Sequence, residues 1–281
     1  MKTKHIYLTG MICHAVTRSL TEYPHLPDVC KKAGLHLATS PSHLWRPLLC
    51  CSVWKALTSQ PYRRILPIAC SAEIAHVASM MLDDLPMMDN AEVRRGKVTC
   101  HLLFGTQTTL LSVFALCDVA DALVHTTDFS REHRSAIKQL LLSTRAQMYE
   151  GQLMDLSAKR FSPKEVFNMY ACKSGALYAY ALASPAIALG RLDMRERLIE
   201  MGKYLGIAYQ VADDIFDVEG ASVTLGKGTN MDKGKSTLPR VIGLSEAKRK
   251  KDALKRHALT ICRQLFGKGS QVEELMQKVV V

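Results

Sequence analysis

Apolar residues recur at helical spacing through most of the chain, and this pattern restricts the fold to one built from helices. In the stretch 65–82, Ile68, Ala72 and Ala75 follow one another at intervals of three or four residues, as they would on one side of an α-helix. Extended alternation of Val, Ile and Thr between hairpin turns, which would indicate strands, is missing from the sequence. The sequence therefore predicts an all-α protein.

The 281 residues are enough to bury one large core, so we expect a single domain. Pro24, Pro27 and Pro41 interrupt a helical start within residues 1–42. Further helices are predicted at 65–82, at 131–155, directly after Ser162-Pro163, at 198–218, and beyond a loop at 220–239 that is rich in Gly and Lys. Neither a repeat of fixed period nor a linker divides the chain.

Two aspartate-rich segments, 83–89 and 213–217, lie 130 residues apart in a chain of formal net charge +11. Each is bordered by apolar sequence, so its carboxylates repel one another unless protons, cations or a metal offset the charge. Oxygen ligands of this kind favour Mg²⁺, which is usually bound by a few carboxylates together with substrate phosphates. A single segment could be a solvated helix end, but two copies beside basic motifs indicate a metal site.

The spacing within each segment predicts different local structures. Asp83 and Asp84 follow a helix that Pro86 should end or kink, so Asp89 would return to the site from a bend. Asp213 and Asp217 are four residues apart and therefore share one helix face.

Basic residues follow both segments. Arg94 and Arg95 come directly after the first, and arginine side chains match the oxygens of phosphate. An arginine pair on a helix is usually at the surface, but its place beside an acidic cluster favours a binding role. After the second segment, Lys227 and Lys235 enclose a flexible loop that could close over a diphosphate.

Other partners and sites are less well supported. The densest basic run, 248–256, has no interleaved aromatic residues, so we expect a solvated helix face and no nucleic-acid binding. Association with a membrane surface has no support beyond the basic charge. The nine cysteines include no CxxC pair, which argues against a zinc site or a disulfide framework and favours a reducing cytoplasm. We also expect no secretion signal, and no stretch approaching the roughly 20 apolar residues of a membrane span.

Taken in order, five motifs make the chain resemble the trans-polyprenyl diphosphate synthases, specifically the farnesyl/geranylgeranyl diphosphate synthase branch. The motifs are DDLPMMDNAEVRRGKVTCH at 83–101, GQLMDL at 151–156, KSG at 173–175, YQVADDIFD at 209–217 and GKGTNMDKGKSTLP at 226–239. The resemblance implies one isoprenoid-synthase domain over residues 1–281, with a variable helical start at 1–40, a family core at 41–245 and C-terminal helices at 246–281. It also implies a single bundle of long antiparallel helices around a deep central cavity, and a homodimer.

The resemblance assigns roles to individual residues. Three Mg²⁺ ions would be bound by six aspartates: Asp83, Asp84, Asp89, Asp213, Asp214 and Asp217. The allylic diphosphate would be bound by Arg94, Lys173, Gln210, Lys227 and Lys235, with Ser174 in place of a usual Thr. Isopentenyl diphosphate would be bound by His43, Arg46, His76 and Arg95. The residues expected to carry catalysis are Asp83, Asp213, Lys173 and Ser174.

The implied reaction joins isopentenyl diphosphate to dimethylallyl, geranyl or farnesyl diphosphate and gives an all-trans prenyl diphosphate. In the family, the residue five positions before the first Asp lies on the cavity floor, and an aromatic residue there stops growth at fifteen carbons. Here that residue is Ala78, followed by Ser79. We therefore expect the twenty-carbon product geranylgeranyl diphosphate, with farnesyl diphosphate as the alternative.

The sequence departs from the family at one basic motif. His43 stands where a Lys is expected and Leu44 where an Arg is expected, so this site carries less positive charge and should bind isopentenyl diphosphate more weakly. The absence of these two basic residues leaves open the alternative that the chain is a non-catalytic regulatory partner of another synthase. A class I terpene cyclase is a further alternative, although cyclases usually have one aspartate motif and many pocket aromatics.

Overall fold

The computed structural model describes residues 2–157, 159–219 and 235–280, and the chain in these ranges is almost entirely helical. It divides into two compact units, and the chain passes from one to the other after Leu48, within a helix, after Gln60 and after Asp128. The all-α prediction is confirmed. The single domain, formed by one bundle around a central cavity, stays a prediction.

The first unit contains residues 2–48 and 61–128. Its elements are α1 (Lys2–Thr21), α2 (Asp28–Ala38), the start of α3 (Trp45–Leu57), α4 (Leu66–Asp83), a hairpin of β1 (Val93–Arg94) and β2 (Lys97–Val98), α5 (Cys100–Phe104) and α6 (Thr106–His125). The breaks predicted from the N-terminal prolines are present, because α1 ends before Pro24 and α2 begins after Pro27.

The second unit contains residues 49–60, 129–219 and 235–280 among those described. Its elements are the rest of α3, α7 (Arg131–Asp155), α8 (Pro163–Tyr170), a π-helical segment (Ala171–Gly175), α9 (Ala176–Ala188), α10 (Arg195–Glu219), α11 (Leu238–Ile242), α12 (Leu244–Phe266) and α13 (Gln271–Val279). The predicted helix after Ser162 is confirmed, and Ser162 forms a capping box with Glu165 at its start.

The expectation that no stretch of the chain approaches the apolar length of a membrane span was wrong. Helix α6 has 20 residues and is apolar enough that, by length and composition alone, it could cross a membrane. A helix that packs within a globular protein can pass the same test. In this unit α6 packs against α4 and α2, and a Cβ added at Gly34 of α2 would lie 3.1 Å from Leu116 of α6.

Close helix packing organises the second unit around α10. A Cβ at Gly202 would lie 2.4 Å from the Cα of Ala179, and one at Gly206 would lie 2.5 Å from the Cα of Gly175. A Cβ at Gly151 of α7 would lie 2.4 Å from the backbone nitrogen of Lys173. Glycine at 151 and 206 therefore lets α7 and α10 approach the π-helical segment, and glycine at 202 lets α10 approach α9. A π-helical segment is rare and is frequent at functional sites.

Candidate active site

The first aspartate segment lies where α4 ends. The helix stops at Asp83, and Asp84 caps it. The chain then turns back, so that the backbone N–H of Asp89 donates to the carbonyl oxygen of Asp83 at 2.9 Å. This is the bend predicted from Pro86. Asp84 is buried, whereas Asp83 and Asp89 are half-buried.

Arg94 binds the buried aspartate of this segment. Its Nε donates to Oδ1 of Asp84 at 2.8 Å. Burial lowers the pKa of Arg94, but the hydrogen bond and charge of Asp84 and the charges of Asp83 and Asp89 outweigh this, and the pKa is raised. Burial also raises the pKa of Asp84, although Arg94 opposes it. Arg94 therefore counterbalances all three carboxylates.

The sequence did not predict the hairpin that positions the two arginines. Val93 pairs with Val98 and Arg94 with Lys97, which leaves Arg95 and Gly96 as the two turn residues. Both have positive φ, 52° and 73°, as a two-residue hairpin turn requires. Arg94 pairs with Asp84, whereas Arg95, at the turn, lies against Glu73.

Arg95 meets a buried carboxylate that sequence reasoning missed. Its Nη2 lies 3.3 Å from Oε1 of Glu73, and Nη1 donates to the carbonyl oxygen of Leu37 at 3.3 Å. Burial raises the pKa of Glu73, while the charges of Arg95 and then Arg46 lower it less strongly. Two arginines predicted to bind isopentenyl diphosphate are thus close to one acidic group. An apolar helix interrupted by one Glu was the available signal.

The other residues of this unit that were predicted to bind isopentenyl diphosphate or to set the chain length differ in their exposure to solvent. The exposed ring of His43 stacks on Trp45, with ring centroids 5.1 Å apart. Leu44, where the family has Arg, is buried and has a φ of 51°. On α4, His76 and Ser79 are half-buried and Ala78 is buried. The hydroxyl of Ser79 donates to the carbonyl oxygen of His76 at 2.8 Å.

The second aspartate segment lies near the end of α10, as predicted. Asp213 and Asp217 are half-buried, whereas Asp214 is buried. The second aspartate of each adjacent pair, Asp84 or Asp214, is therefore the deeper one.

Asp155 brings two of the predicted lysines together. Its Oδ2 lies 2.6 Å from Nζ of Lys173 and 3.0 Å from Nζ of Lys235. Burial alone would raise the pKa of Asp155, but the charges and hydrogen bonds of the two lysines lower it below its usual range. The sequence motif GQLMDL contained this residue, but nothing in the sequence indicated its partners. Lys227, the third predicted lysine, lies outside the described residues.

Gln210 and Ser174 belong to a partly buried hydrogen-bond network. The hydroxyl of Ser174 donates to Oε1 of Gln210 at 2.7 Å, and Nε2 of Gln210 donates to Oδ1 of Asp214 at 3.1 Å. The Tyr170 hydroxyl donates to Oδ2 of Asp214 and accepts the backbone N–H of Leu238 at 2.7 Å. Burial, followed by the charge of Asp214, raises the pKa of Tyr170, so the phenol keeps its proton.

Neither aspartate segment forms a complete metal site by itself. Among residues 2–157, 159–219 and 235–280, no group of three or more His, Cys, Asp and Glu side chains could hold a metal ion. Mg²⁺ does not require such a group, because it retains waters and is usually bound by one or two carboxylates together with substrate phosphates. The half-buried aspartates of each segment have the oxygen chemistry that this ion needs.

Comparisons with known proteins agree with this chemistry. The chain is 34% identical over 235 residues to the farnesyl diphosphate synthase of Geobacillus stearothermophilus, covering 80% of this chain and 78% of that protein. It is also 34% identical over 225 residues to geranylgeranyl pyrophosphate synthase 4 of Arabidopsis thaliana, covering 76% of this chain and 60% of that protein.

Solved structures show the same fold. The geranyltranstransferase of Thermotoga maritima matches with a TM-score of 0.82 and 27% identity over 98% of both chains. A geranyltransferase of Helicobacter pylori, complexed with magnesium and isoprenyl diphosphate, matches with a TM-score of 0.84 and 23% identity, covering 98% of this chain and 96% of that one. The fold and motifs define a prenyltransferase of the isoprenoid synthase class. The polyprenyl synthetase family model matches residues 27–279, and the chain belongs to this family.

Proposed function

We propose that this chain is a Mg²⁺-dependent trans-prenyltransferase that joins isopentenyl diphosphate to an allylic diphosphate and releases geranylgeranyl diphosphate as its main product. The observation that carries this proposal is the pairing of cations with largely buried carboxylates: Arg94 with Asp84 of the first aspartate segment, and Lys173 and Lys235 with Asp155. Such cations are placed in advance for an anionic ligand, which is how electrostatic catalysis works.

The allylic diphosphate would be bound by Arg94, Lys173, Gln210 and Lys235, together with Lys227, which lies outside the described residues. Three Mg²⁺ ions, when bound, would neutralise the charge that develops on the leaving diphosphate. We propose the half-buried aspartates as their direct ligands: Asp83, Asp89, Asp213 and Asp217. The magnesium complex of the Helicobacter pylori geranyltransferase supports this choice of ion.

Isopentenyl diphosphate would be bound by Arg46 and Arg95, with His43 and His76 as further partners. Glu73 holds the Arg95 side chain at 3.3 Å and so limits its freedom before the substrate arrives. Holding the second substrate in a fixed position lets its double bond attack the allylic carbon as the C–O bond breaks. The cation formed by this attack would then lose a proton to the departing diphosphate, which gives the product.

Product length would depend on the side chains of α4 that precede the first aspartate. Ala78 and Ser79 are small, so by the family pattern they would leave space for a chain longer than fifteen carbons. The named relatives include both farnesyl and geranylgeranyl synthases, so the assignment depends on these two residues.

We also propose a homodimer in the cytoplasm. In the first unit, α5 and α6 expose large apolar side chains that a monomer would leave in water: Leu102, Leu103, Leu111 and Phe114. Light scattering on the purified chain tests the dimer. A monomer at micromolar concentration, unchanged in Leu111→Lys, would contradict it.

The decisive experiment incubates the purified chain with Mg²⁺, isopentenyl diphosphate and each allylic primer in turn, followed by chromatography of the dephosphorylated products. We expect a twenty-carbon all-trans alcohol. A fifteen-carbon product would establish the farnesyl alternative. A cyclic hydrocarbon formed without isopentenyl diphosphate would indicate a cyclase, and no product would favour the non-catalytic partner suggested by His43 and Leu44.

A further inference from the structure

Asp214 differs from a typical metal ligand because protein donors reach both of its carboxylate oxygens. Gln210 donates to Oδ1 at 3.1 Å, and Tyr170 donates to Oδ2. The residue is also 3% exposed, the deepest position in its segment. A carboxylate bound in this way is well suited to hold neighbouring side chains in place.

We propose that Tyr170 and Asp214 are positioning residues, which fix the orientation of Gln210 and thereby the direction in which the Ser174 hydroxyl donates. Neither residue needs to touch the substrate. That the ligand of Gln210 and Ser174 is a diphosphate rests on the proposed function.

The direction of each hydrogen bond follows from the chemistry of Asp214. An ionised carboxylate only accepts, so the NH₂ group of Gln210 must face it. The Gln210 carbonyl oxygen must then face Ser174, and the Ser174 hydroxyl donates its proton to it at 2.7 Å. The amide orientation, which is often ambiguous for Gln, is therefore determined here by one buried charge.

Tyr170 extends the network to a second element. Its ring lies in an apolar cluster with Ile207 and Val211 of α10, and its hydroxyl accepts the backbone N–H of Leu238. That N–H belongs to the first turn of α11, where backbone donors have no partner within the helix. The phenol of Tyr170 thus links α8, α10 and the start of α11. Leu238, whose N–H it accepts, is three residues after Lys235.

Three variants test the proposal. Tyr170→Phe removes the hydroxyl and keeps the ring. Asp214→Asn keeps the shape of the side chain but supplies an NH₂ group, which turns the Gln210 amide around and makes Ser174 an acceptor. Tyr204→Phe is the matched control. It also removes a tyrosine hydroxyl, from a residue of α10 whose ring packs on His257 with the ring centroids 4.2 Å apart.

Calorimetric binding of inorganic pyrophosphate in the presence of Mg²⁺ gives a readout that does not depend on turnover. We expect Tyr170→Phe and Asp214→Asn to weaken pyrophosphate binding about tenfold, while Tyr204→Phe does not. The Mg²⁺ concentration for half-maximal binding should stay within about twofold of the wild type in Asp214→Asn, but rise at least tenfold in Asp213→Asn.

A double-variant cycle tests the link to Ser174. If Ser174 acts through this network, Ser174→Ala combined with Tyr170→Phe should bind pyrophosphate no more weakly than the weaker single variant. If the losses of pyrophosphate affinity in the two single variants multiply in the double variant, the proposal is wrong. It is also wrong if Asp214→Asn shifts the Mg²⁺ dependence as Asp213→Asn does. Wild-type chain that binds pyrophosphate but forms no prenyl product would instead contradict the proposed function and leave this test intact.

Thermal unfolding of each variant shows whether weaker binding reflects a change in the site or a failure to fold. If Tyr170→Phe fails to fold because Leu238 and Asp214 lose their partner, Asp214→Asn carries the comparison, since every atom of its network retains a possible partner.

Discussion

Gly206 of α10 packs directly on Gly175 of the π-helical segment: a Cβ added at Gly206 would lie 2.5 Å from the Cα of Gly175. No side chain fits between the two backbones. This close approach holds Ser174 against Gln210, one turn further along α10, so the packing of two glycines positions two residues of the candidate site.

Gly206→Ala should disrupt that contact. The added methyl group forces the backbones apart and should lower the free energy of unfolding by about 1–3 kcal/mol, with a larger proportional loss of kcat than of affinity for isopentenyl diphosphate. Denaturant unfolding and steady-state kinetics measure both effects. Gly10→Ala is the control, because a Cβ there meets nothing within 4 Å and should stabilise α1 by about 0.5–1 kcal/mol. Equal effects of the two variants would contradict the packing argument.

Asp155→Asn should destabilise the protein in a pH-dependent way. The lysines hold the folded-state pKa of Asp155 below its ordinary value of 3.8, so its contribution is fully present above that value and is lost as the pH falls through the folded-state pKa. We expect the variant to lose about 2 kcal/mol at neutral pH, and the difference from the wild type to shrink below about pH 4.

Urea unfolding of both proteins across this pH range provides the measurement. Asp193→Asn is the control, since it removes an exposed pair with Arg191 and should change stability little. A difference that stays constant down to pH 2 would show that the charge of Asp155 is not responsible.

His43→Lys should strengthen binding of isopentenyl diphosphate. The exposed His43 ring stacks on Trp45, and replacing it with Lys adds a permanent positive charge where the family has one. We expect KM for isopentenyl diphosphate to fall up to about tenfold, which corresponds to ~1.4 kcal/mol, with KM for the allylic substrate unchanged. His25→Lys adds the same charge on an exposed turn and controls for net charge. An unchanged KM in His43→Lys would reject the idea that this position limits affinity.

Ala78→Tyr should shorten the product from twenty to fifteen carbons, because the ring occupies the space that the last isoprene unit needs. Ala78 is buried, so overpacking should cost about 1–3 kcal/mol of stability, and the melting temperature must be recorded with the product profile. Ser79→Tyr, at a half-buried position, is a second variant with less strain. Ala78→Ser is the size control. Twenty-carbon product from both tyrosine variants would contradict the assignment of chain length to α4.

Local features of the fold followed from the sequence. The end of α4 before Pro86, the return of Asp89 from a bend, and the start of α8 after Ser162 depend on residues within a few positions of one another. The hairpin at Arg95-Gly96 was missed, because two short strands leave almost no periodic signal and Arg is an unusual residue at positive φ.

The sequence by itself therefore determined the helical class, the family, and the residue types that carry the chemistry. Only the tertiary structure decided which of them meet. Tyr170 and Asp214 are 44 residues apart, and Asp155 and Lys235 are 80 apart. Spacing within a helix fixes which side chains share a face, but contacts between helices depend on how closely their backbones approach. In the second unit that approach is set by Gly151, Gly202 and Gly206, which have no side chain to keep the helices apart.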